Sequence, residues 1–566
     1  MHAVSPLFRR FMLYVNTTRR LRVGQLAWFI YRRLRPNVHT APIEAEDSLG
    51  SIGSQPFVPG PQPDKPELKF LNVSRPVDSV DVDWHRDDVP RLWRFNLHYF
   101  DYVQWACIPE SDKAQFIDSW INANPMGTID AWSPYTASLR IVNWIKYFPQ
   151  RNGDVPPAWQ LSLINQANWL CKNLEKELLA NHFLKNAKAL VFAGVWFRGP
   201  HGKRFLRLGL ELFVDQIREQ FLKDGGHFER SPMYHAISLE DCLDVYNILT
   251  THSCRTGEQS DVDQAMQVVK DVCLRGLRFL DDTLGADGKI PLFNDAAHGI
   301  APEAAPIFEY GHKLVDYERA PRPPKAIIFS KAQTGYYGYH FAQDSLVIDC
   351  GSVGPGFQAG HAHCDNLSYE FCRHGKRLIV DSGVYGYNDD ETRNVLRGTA
   401  AHNTVVVNGE EQSEIWGTFR VARRAEPLNA GIRELENGGF VFDGSHDGYR
   451  RLPGKIIHSR TIEGQVDSGW TVTDSITGKG GCEAISRIHF HPDVQIEESA
   501  VNEWTIRLGV QSVATLMVEE PCSAKLSAED YCPEFGLRQQ GAVISVVCSG
   551  ELPLQLAYRF VWNDDG

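Results

Sequence analysis

Arg322-Pro323-Pro324-Lys325 separates two hydrophobic periodicities, and that change decides the fold class. Upstream, from residue 91, apolar residues recur at helical spacing in stretches divided by short polar loops. Ser133-Pro134 opens one of these helices with a cap residue before a proline at the first helical position; Leu139, Ile141, Val142, Trp144 and Ile145 form its inward stripe. Further helices are expected over Trp159–Leu178, Ala187–Trp196, Phe205–Phe221, Leu239–His252 and Val262–Asp282. Their hairpin-like succession predicts antiparallel helical pairs, stacked as a toroid or as a solenoid. Downstream the period falls to two, over Tyr336–His340, Ser345–Asp349, Ser368–Phe371, Leu378–Val380, Thr404–Val407, Trp470–Asp474, Ile485–Phe490, Ala514–Val518, Val543–Val547 and Leu554–Phe560. Short β-branched and aromatic runs broken by Gly, Asp and Asn predict an antiparallel β-sandwich domain.

A chain of 566 residues exceeds what one core usually serves, so a multidomain α+β protein is expected: 1–90, a helical domain over 91–322 and a β-domain over 323–566. Residues 36–90, which include Pro56-Phe-Val-Pro-Gly-Pro-Gln-Pro63, hold no sustained period and read as an extended connection. Ahead of them the apolar run Leu26–Ile30 is too short for a signal-peptide core or a transmembrane segment. With Arg9, Arg10, Arg19, Arg20, Arg32, Arg33 and Arg35 around it, the segment predicts a basic amphipathic helix on the protein surface, a membrane or a partner. A cytoplasmic location is the resulting expectation, with a periplasmic or secreted one left open.

A net charge of -12 argues against a nucleic-acid partner, whose phosphates call for a basic surface. It leaves room for an anionic polymer in a locally basic cleft, because salt screens charges beyond about 8–10 Å. The 12 cysteines contain no C-x-x-C pair, so neither a cysteine zinc site nor a disulfide framework is expected, and reduced thiols are.

Residues able to carry chemistry cluster in Gly360-His-Ala-His-Cys-Asp365, Val380-Asp-Ser-Gly383 and Ala401-His-Asn-Thr404. On an extended strand His361 and His363 would share one face. His363, Asp381 and His402, at strand ends, form a candidate set for one divalent metal ion per chain, and nitrogen ligands favour Zn or Mn over Ca. In the helical half, Asn181 and His182 of Ala180-Asn-His-Phe183 are either helix caps or functional groups. Tyr234, in Gly225-Gly-His-Phe-Glu-Arg-Ser-Pro-Met-Tyr-His235 ahead of another helix, reads by itself as a packed aromatic. Asn96, His98, Trp132, Tyr135 and Arg140 are candidate sugar and carboxylate contacts or core residues, and Arg393 and Arg397 could meet acidic groups or line a solvated loop.

The ordered set Asn181-His182, Glu229…Tyr234, His361-x-His363, Asp381 and Ala401-His-Asn-Thr404 resembles the heparinase II/III-like polysaccharide lyases. The resemblance implies an incomplete (α/α) toroid followed by an antiparallel β-sandwich. It implies β-elimination on a uronate polysaccharide, a glycosaminoglycan such as hyaluronan, chondroitin or heparan sulfate, with alginate or a bacterial exopolysaccharide as alternatives. Asn181 and His182 would hold the uronate carboxylate, with Glu229 part of the same motif. Tyr234 would be general acid and the base for one C5 configuration, and His361 the base for the other, across a cleft between them. His363, Asp381 and His402 would match metal ligands. A glycoside hydrolase, for which Glu229, Asp224, Asp295 and Asp365 are the candidate carboxylates, and a non-catalytic polysaccharide-binding protein are the rivals.

Overall fold

The computed structural model describes residues 6–35, 38–43, 53, 55–151, 153–252, 259–321, 325–387, 391–436 and 438–563; Arg322–Pro324 of the expected boundary lie outside them. Helices follow one another from Arg91–Tyr99 to Ala304–Val315, and a strand-rich half begins at Ile327–Lys331. Residues 55–90 are irregular except for a hairpin of Glu67–Phe70 and Val73–Pro76.

The expected helices form with shifted ends. Pro134–Tyr147 starts on its proline, which has no N–H to leave unpaired there. The helix expected over Trp159–Leu178 runs Pro157–Lys172 and stops where the Asn173 amide donates back to the Trp169 carbonyl, 2.9 Å. The helix expected from Ala187 starts seven residues earlier, at Ala180. Asn181 and His182 therefore lie in its first turn instead of capping it, and the cap position is Leu179.

Helix Ala180–Trp196 is the centre of the helical half: every residue of it except His182 is buried. Its crossing with Gly199–Gln220 is a backbone-to-backbone contact. A Cβ on Gly194 would stand 2.4 Å from the Leu206 nitrogen, and one on Gly209 2.6 Å from the Val191 nitrogen, so only glycine fits at either point. A buried ionic cluster fastens its other side. Lys185 donates to Asp241 at 2.7 Å and Lys188 to Asp241 and Asp244 at 2.7 and 2.5 Å, while Lys146 pairs with Asp244 at 2.6 Å. The acids belong to helix Pro232–His252, so the helices that start at Asn181 and near Tyr234 are locked together.

Among the described residues the β-half contains three large antiparallel sheets of five, eight and four strands and a two-stranded pair, Ile415–Trp416 with Arg420–Val421. The five-stranded sheet spans Ile327–Ile379 in chain order and faces the helices through Phe329, Tyr336 and Val347, which pack on Phe279 and Phe293. The eight-stranded sheet has strand Gly469–Thr477 near its middle, whose inward residues Trp470, Val472, Asp474 and Ile476 show why alternation reads as strand. The four-stranded sheet ends at the short edge strand Val405–Val407, just after His402. The halves are bolted together at one turn: Arg230 donates to the carbonyls of Thr334 and Gly354 at 2.9 and 3.0 Å, and Asp224 accepts from the backbone of Gln333 and Thr334.

Removing one partner of a buried ion pair strands the other charge, which costs about 3–5 kcal/mol. Asp241→Ala leaves both Lys185 and Lys188 short of a partner and is expected to lower the unfolding free energy of the helical half by that amount in a urea titration. Little or no loss would refute the bracing role of the cluster.

Candidate active site

The site lies where the starts of two helices meet one loop of the β-half. Asn181 and His182 sit in the first turn of Ala180–Trp196, and Tyr234 in the first turn of Pro232–His252, where the Ser231 hydroxyl accepts the Tyr234 N–H at 3.3 Å. His361 and His363 come from the irregular segment between strands Asp344–Asp349 and Tyr369–Arg373. The expected strand is absent there, yet both rings reach one group, Asp295, that the sequence offered only as a candidate hydrolase carboxylate. Asp295 Oδ2 takes His361 Nδ1 at 2.8 Å and Oδ1 takes His363 Nε2 at 2.7 Å. Arg393 closes the cluster with Nη1 and Nη2 on the same two oxygens, 2.5 and 2.8 Å.

Burial by itself would raise the Asp295 carboxyl, but the Arg393 charge and the hydrogen bonds from His361 and His363 outweigh it and hold the group well below the usual carboxylate range. Asp295 is thus an acceptor for both imidazoles, which fixes their tautomers. His361 carries a proton on Nδ1, toward Asp295, and its Nε2 lies 3.8 Å from Glu229 Oε2. The Tyr234 ring stacks on His361 with centroids 3.9 Å apart, and its hydroxyl is 3.0 Å from that of Tyr387. Burial first, and Tyr387 second, push the Tyr234 hydroxyl well above its ordinary value, so it keeps its proton. This contact corrects the expected cleft between Tyr234 and His361: no sugar ring fits in a 3.9 Å stack, and the two rings lie against each other.

Beside them, Asn181 donates from its backbone at 3.1 Å and from its amide at 3.1 and 3.2 Å to the Glu229 carboxylate. His182 packs against Tyr135, centroids 4.4 Å apart, and its Nδ1 contacts Glu175 at 3.0 Å. Burial opposes a charge on this ring, but Glu175 outweighs it and raises its pKa, and its Nε2 belongs to the most exposed side chain of the group. Backbone strain collects at the same place: Leu179, Ala180, Arg230 and Asn294 all have positive φ (59°, 51°, 60° and 56°), each within two residues of Asn181, Glu229 or Asp295.

A second cluster adjoins the first. The ligand atoms of His363, Asp365 and His402 lie within 4.8 Å of one another. His363 Nδ1 and His402 Nε2 are buried nitrogens with no hydrogen-bond partner among the described residues. The far nitrogen of each ring is held by a carboxylate, His363 Nε2 by Asp295 and His402 Nδ1 by Asp381 at 2.7 Å. Two oriented imidazoles and a carboxylate suit a divalent ion. The expected set is corrected at one position: Asp381 is spent on the back of His402, and Asp365 takes its place. Without an ion, burial opposes charge on His402 but Asp381 outweighs it and raises the ring to about 9, while burial raises Asp365 to about 6.

Several expected sugar contacts belong instead to the core. Trp132 packs on Trp120 and Trp169 and donates to the Asn124 carbonyl; His98 accepts from Trp120; Arg140 donates to Gln166 and the His98 carbonyl. All three are buried, so none offers a surface to a polymer. Arg393 is spent on Asp295, and Arg397 on the carbonyls of Ala362, Gly417 and Thr418. Asn96 and Tyr135 do line open space, a cavity of about 1090 Å³ shared with Tyr99, Asn143, Lys146 and Lys185. It adjoins the site through Tyr135 and contains none of Asn181, His182, Tyr234 and His361.

The comparisons agree with this architecture. The family model described as Heparinase II/III N-terminus matches residues 78–301, and that described as Heparinase II/III-like, C-terminal matches 323–561. Curated relatives are the heparin-sulfate lyases of Pedobacter heparinus, 26% identical over 51% of this chain and 47% of that protein, and of Bacteroides stercoris, 25% identical over 64% and 62%. The chain thus spans about half to three fifths of the length of these relatives. Among solved structures, a crystal structure of heparinase III superposes with TM-score 0.67 at 15% identity over 85% of this chain and 80% of that one. The heparan sulfate lyase HepC from Pedobacter heparinus gives 0.57 at 18% over 87% and 80%, a likeness of fold: a helical toroid followed by a β-sandwich. By its two matched domains, which cover most of its length in the family's order, the chain belongs to the heparinase II/III-like family.

Proposed function

We propose that the protein is a polysaccharide lyase that cleaves a uronate-containing glycosaminoglycan by β-elimination, with heparan sulfate the first polymer to test because the curated relatives are named heparin-sulfate lyases. The observation that carries the reading is the free Nε2 of His361, its other nitrogen tied to Asp295, stacked on a protonated Tyr234 beside two carboxylate-binding donors. A uronate C5–H is too weak an acid for any side chain until the neighbouring carboxylate is neutralised and the developing enolate charge is hydrogen-bonded. The His182 ring, whose charged form Glu175 favours, and the Asn181 amide, which already engages a carboxylate, supply those donors. His361 Nε2 takes the C5 proton, the C4–O4 bond breaks, and Tyr234 gives its proton to O4, leaving a C4=C5 double bond on the new non-reducing end. A glycoside hydrolase needs a carboxylic acid at the scissile bond. Asp295 is held ionised by Arg393 and Glu229 is spent on Asn181, so neither fills that role.

The test is an incubation of the purified protein with a panel of uronate polymers, read by ultraviolet absorbance of the unsaturated uronate. Absorbance is expected to grow on at least one polymer; new reducing ends without absorbance would mean hydrolysis and overturn the proposal. On a cleaved polymer, Tyr234→Phe is expected to lower kcat by about 10²–10⁴-fold with KM little changed, because one proton-transfer hydroxyl is lost. Turnover close to that of the unaltered protein would remove Tyr234 from the mechanism.

His363, Asp365 and His402 would hold one divalent ion, with Zn or Mn the fitting choice for two imidazoles and one carboxylate. Bound there, it would supply a positive charge cross-linking the His361 loop to the edge strand that follows His402. Elemental analysis of protein never exposed to chelator is expected to give one metal per chain, and His402→Ala to lose it. Asp381→Asn, which changes only the support of a ligand, should weaken binding by about 10–100-fold without abolishing it. Equal loss in both variants would restore Asp381 as a direct ligand.

A further inference from the structure

The two N-terminal helices, Pro6–Thr18 and Val23–Leu34, present the reverse of the usual amphipathic arrangement. Their buried side chains are polar, Asn16 and Gln25. Their apolar side chains face outward: Leu7, Val23 and Leu34 are 81%, 84% and 78% exposed, and Phe8, Phe11 and Ile30 are all more than half exposed. The stripe Val23, Leu26, Ile30, Leu34 recurs at helical spacing and is exposed throughout, as is Leu7, Phe11, Val15 on the first helix. Contiguous apolar surface of this kind marks a docking face.

The polar side accounts for the inversion, because it fastens the pair to both halves of the molecule. Trp416 Nε1 donates to Thr17 at 3.0 Å, Arg20 pairs with Glu426, Arg22 with Glu219, and Arg32 with Glu177 at 3.3 Å. The apolar stripes stay exposed along both helices.

Charge identifies what they meet. The first 35 residues carry eight arginines and no lysine or acidic residue, in a chain whose net charge is -12. Arg9, Arg10, Arg19, Arg33 and Arg35 are exposed and form no ion pair among the described residues. A second copy docking by the same face would bring these arginines against their own equivalents, with no acid in the segment to answer them. The helices have 13 and 12 residues, roughly 20 Å at 1.5 Å per residue, against about 30 Å of bilayer hydrocarbon. No described helix is long and apolar enough to cross a membrane. Short, basic helices with an exposed apolar face suit the interfacial zone of an anionic bilayer, with the side chains in the acyl boundary and guanidinium groups on lipid phosphates.

We propose that these two helices dock the protein on an anionic membrane surface. The inference is independent of the reaction assigned above, but it bears on where that reaction occurs. Arg22 lies 3.7 Å over the Phe357 ring, which packs on Ala180 and Phe228, and Tyr14 packs on Trp416. The docking face therefore adjoins the rim of the site, and a polymer held near the lipid surface is within its reach.

The test uses the full chain and sedimentation with vesicles of phosphatidylcholine alone or with about one third phosphatidylglycerol. Partition onto the anionic vesicles is expected to exceed that onto neutral ones by about tenfold or more and to fall as salt is raised. Phe11→Glu with Ile30→Glu should reduce it by about tenfold or more, with melting temperature and activity on soluble polymer unchanged, since both side chains are exposed. Replacing Arg9, Arg10, Arg33 and Arg35 by Gln should remove the preference for anionic lipid. No partition, equal partition onto both vesicle types, or a dimer in sedimentation equilibrium that the Phe11→Glu, Ile30→Glu protein no longer forms would each overturn the proposal.

Discussion

Four charged or polarised donors converge on the Asp295 carboxylate, and the rest of the site is arranged by that convergence. A fully buried carboxylate is costly unless paired and hydrogen-bonded, and here Arg393, His361 and His363 together saturate it. The consequence is chemical as well as structural. By accepting from one nitrogen of each ring, the carboxylate turns the opposite nitrogen of His361 toward Glu229 and that of His363 toward the cluster with Asp365 and His402. Its backbone extends the same constraint, since the Asp295 carbonyl accepts from Ser231 at 2.7 Å and its N–H donates to the His361 carbonyl at 2.9 Å. One residue therefore sets the start of the Tyr234 helix, the position of the His361 loop and the orientation of both imidazoles.

The helical half contributes direction. Asn181, His182 and Tyr234 all lie in first turns, so two helices point their N-terminal ends, with the positive end of the dipole, toward one place, where the Asn181 N–H already donates to the Glu229 carboxylate. An anionic ligand is favoured there before any side chain is counted. The buried cluster of Lys185, Lys188, Asp241 and Asp244 keeps those two ends side by side. The strained backbone at Leu179, Ala180, Arg230 and Asn294 is the local cost of aiming them.

The layout was legible in the sequence because the switch from helical to alternating periodicity is a property of neighbouring residues, and the observed helices and strands follow it with shifted ends. The site was legible in part. Short motifs nominated Asn181, His182, Tyr234 and His361, which do converge. What failed was any inference requiring knowledge of which side of an element faces inward. Trp132, His98 and Arg140 have the side chains of a sugar platform, but this helical half lines its own core with tryptophans and buried polar groups, and residue type alone does not separate the two uses. At the N-terminus, periodicity shows an amphipathic helix and leaves open which way its apolar face points; the structure turns that face outward. Asp295 carries no signal beyond a polar pair, Asn294-Asp295, inside the apolar run Pro291–Ala297, since its partners lie 66 to 98 residues away. Asp381 and Asp365 were exchanged for a similar reason: both are carboxylates near His402, and only the geometry says which nitrogen each one faces.

The two arginines expected to meet substrate show why an irregular loop can carry a base. His361 and His363 stand on backbone that belongs to neither helix nor strand, and an unbraced segment of this kind loses catalytic geometry to conformational entropy. Arg393 holds its imidazoles through Asp295, Arg397 holds the Ala362 carbonyl between them, and Asn294 accepts the His363 N–H at 3.1 Å while donating its own to Asp365 at 2.7 Å. A guanidinium suits this task because its donors form a rigid planar fork that spans several acceptors, whereas a lysine offers one point charge on a flexible stem. The positive charge of Arg393 and Arg397 is consumed in building the site, and the polar groups left facing its open side are those of His182 and Asn181 at the start of one helix.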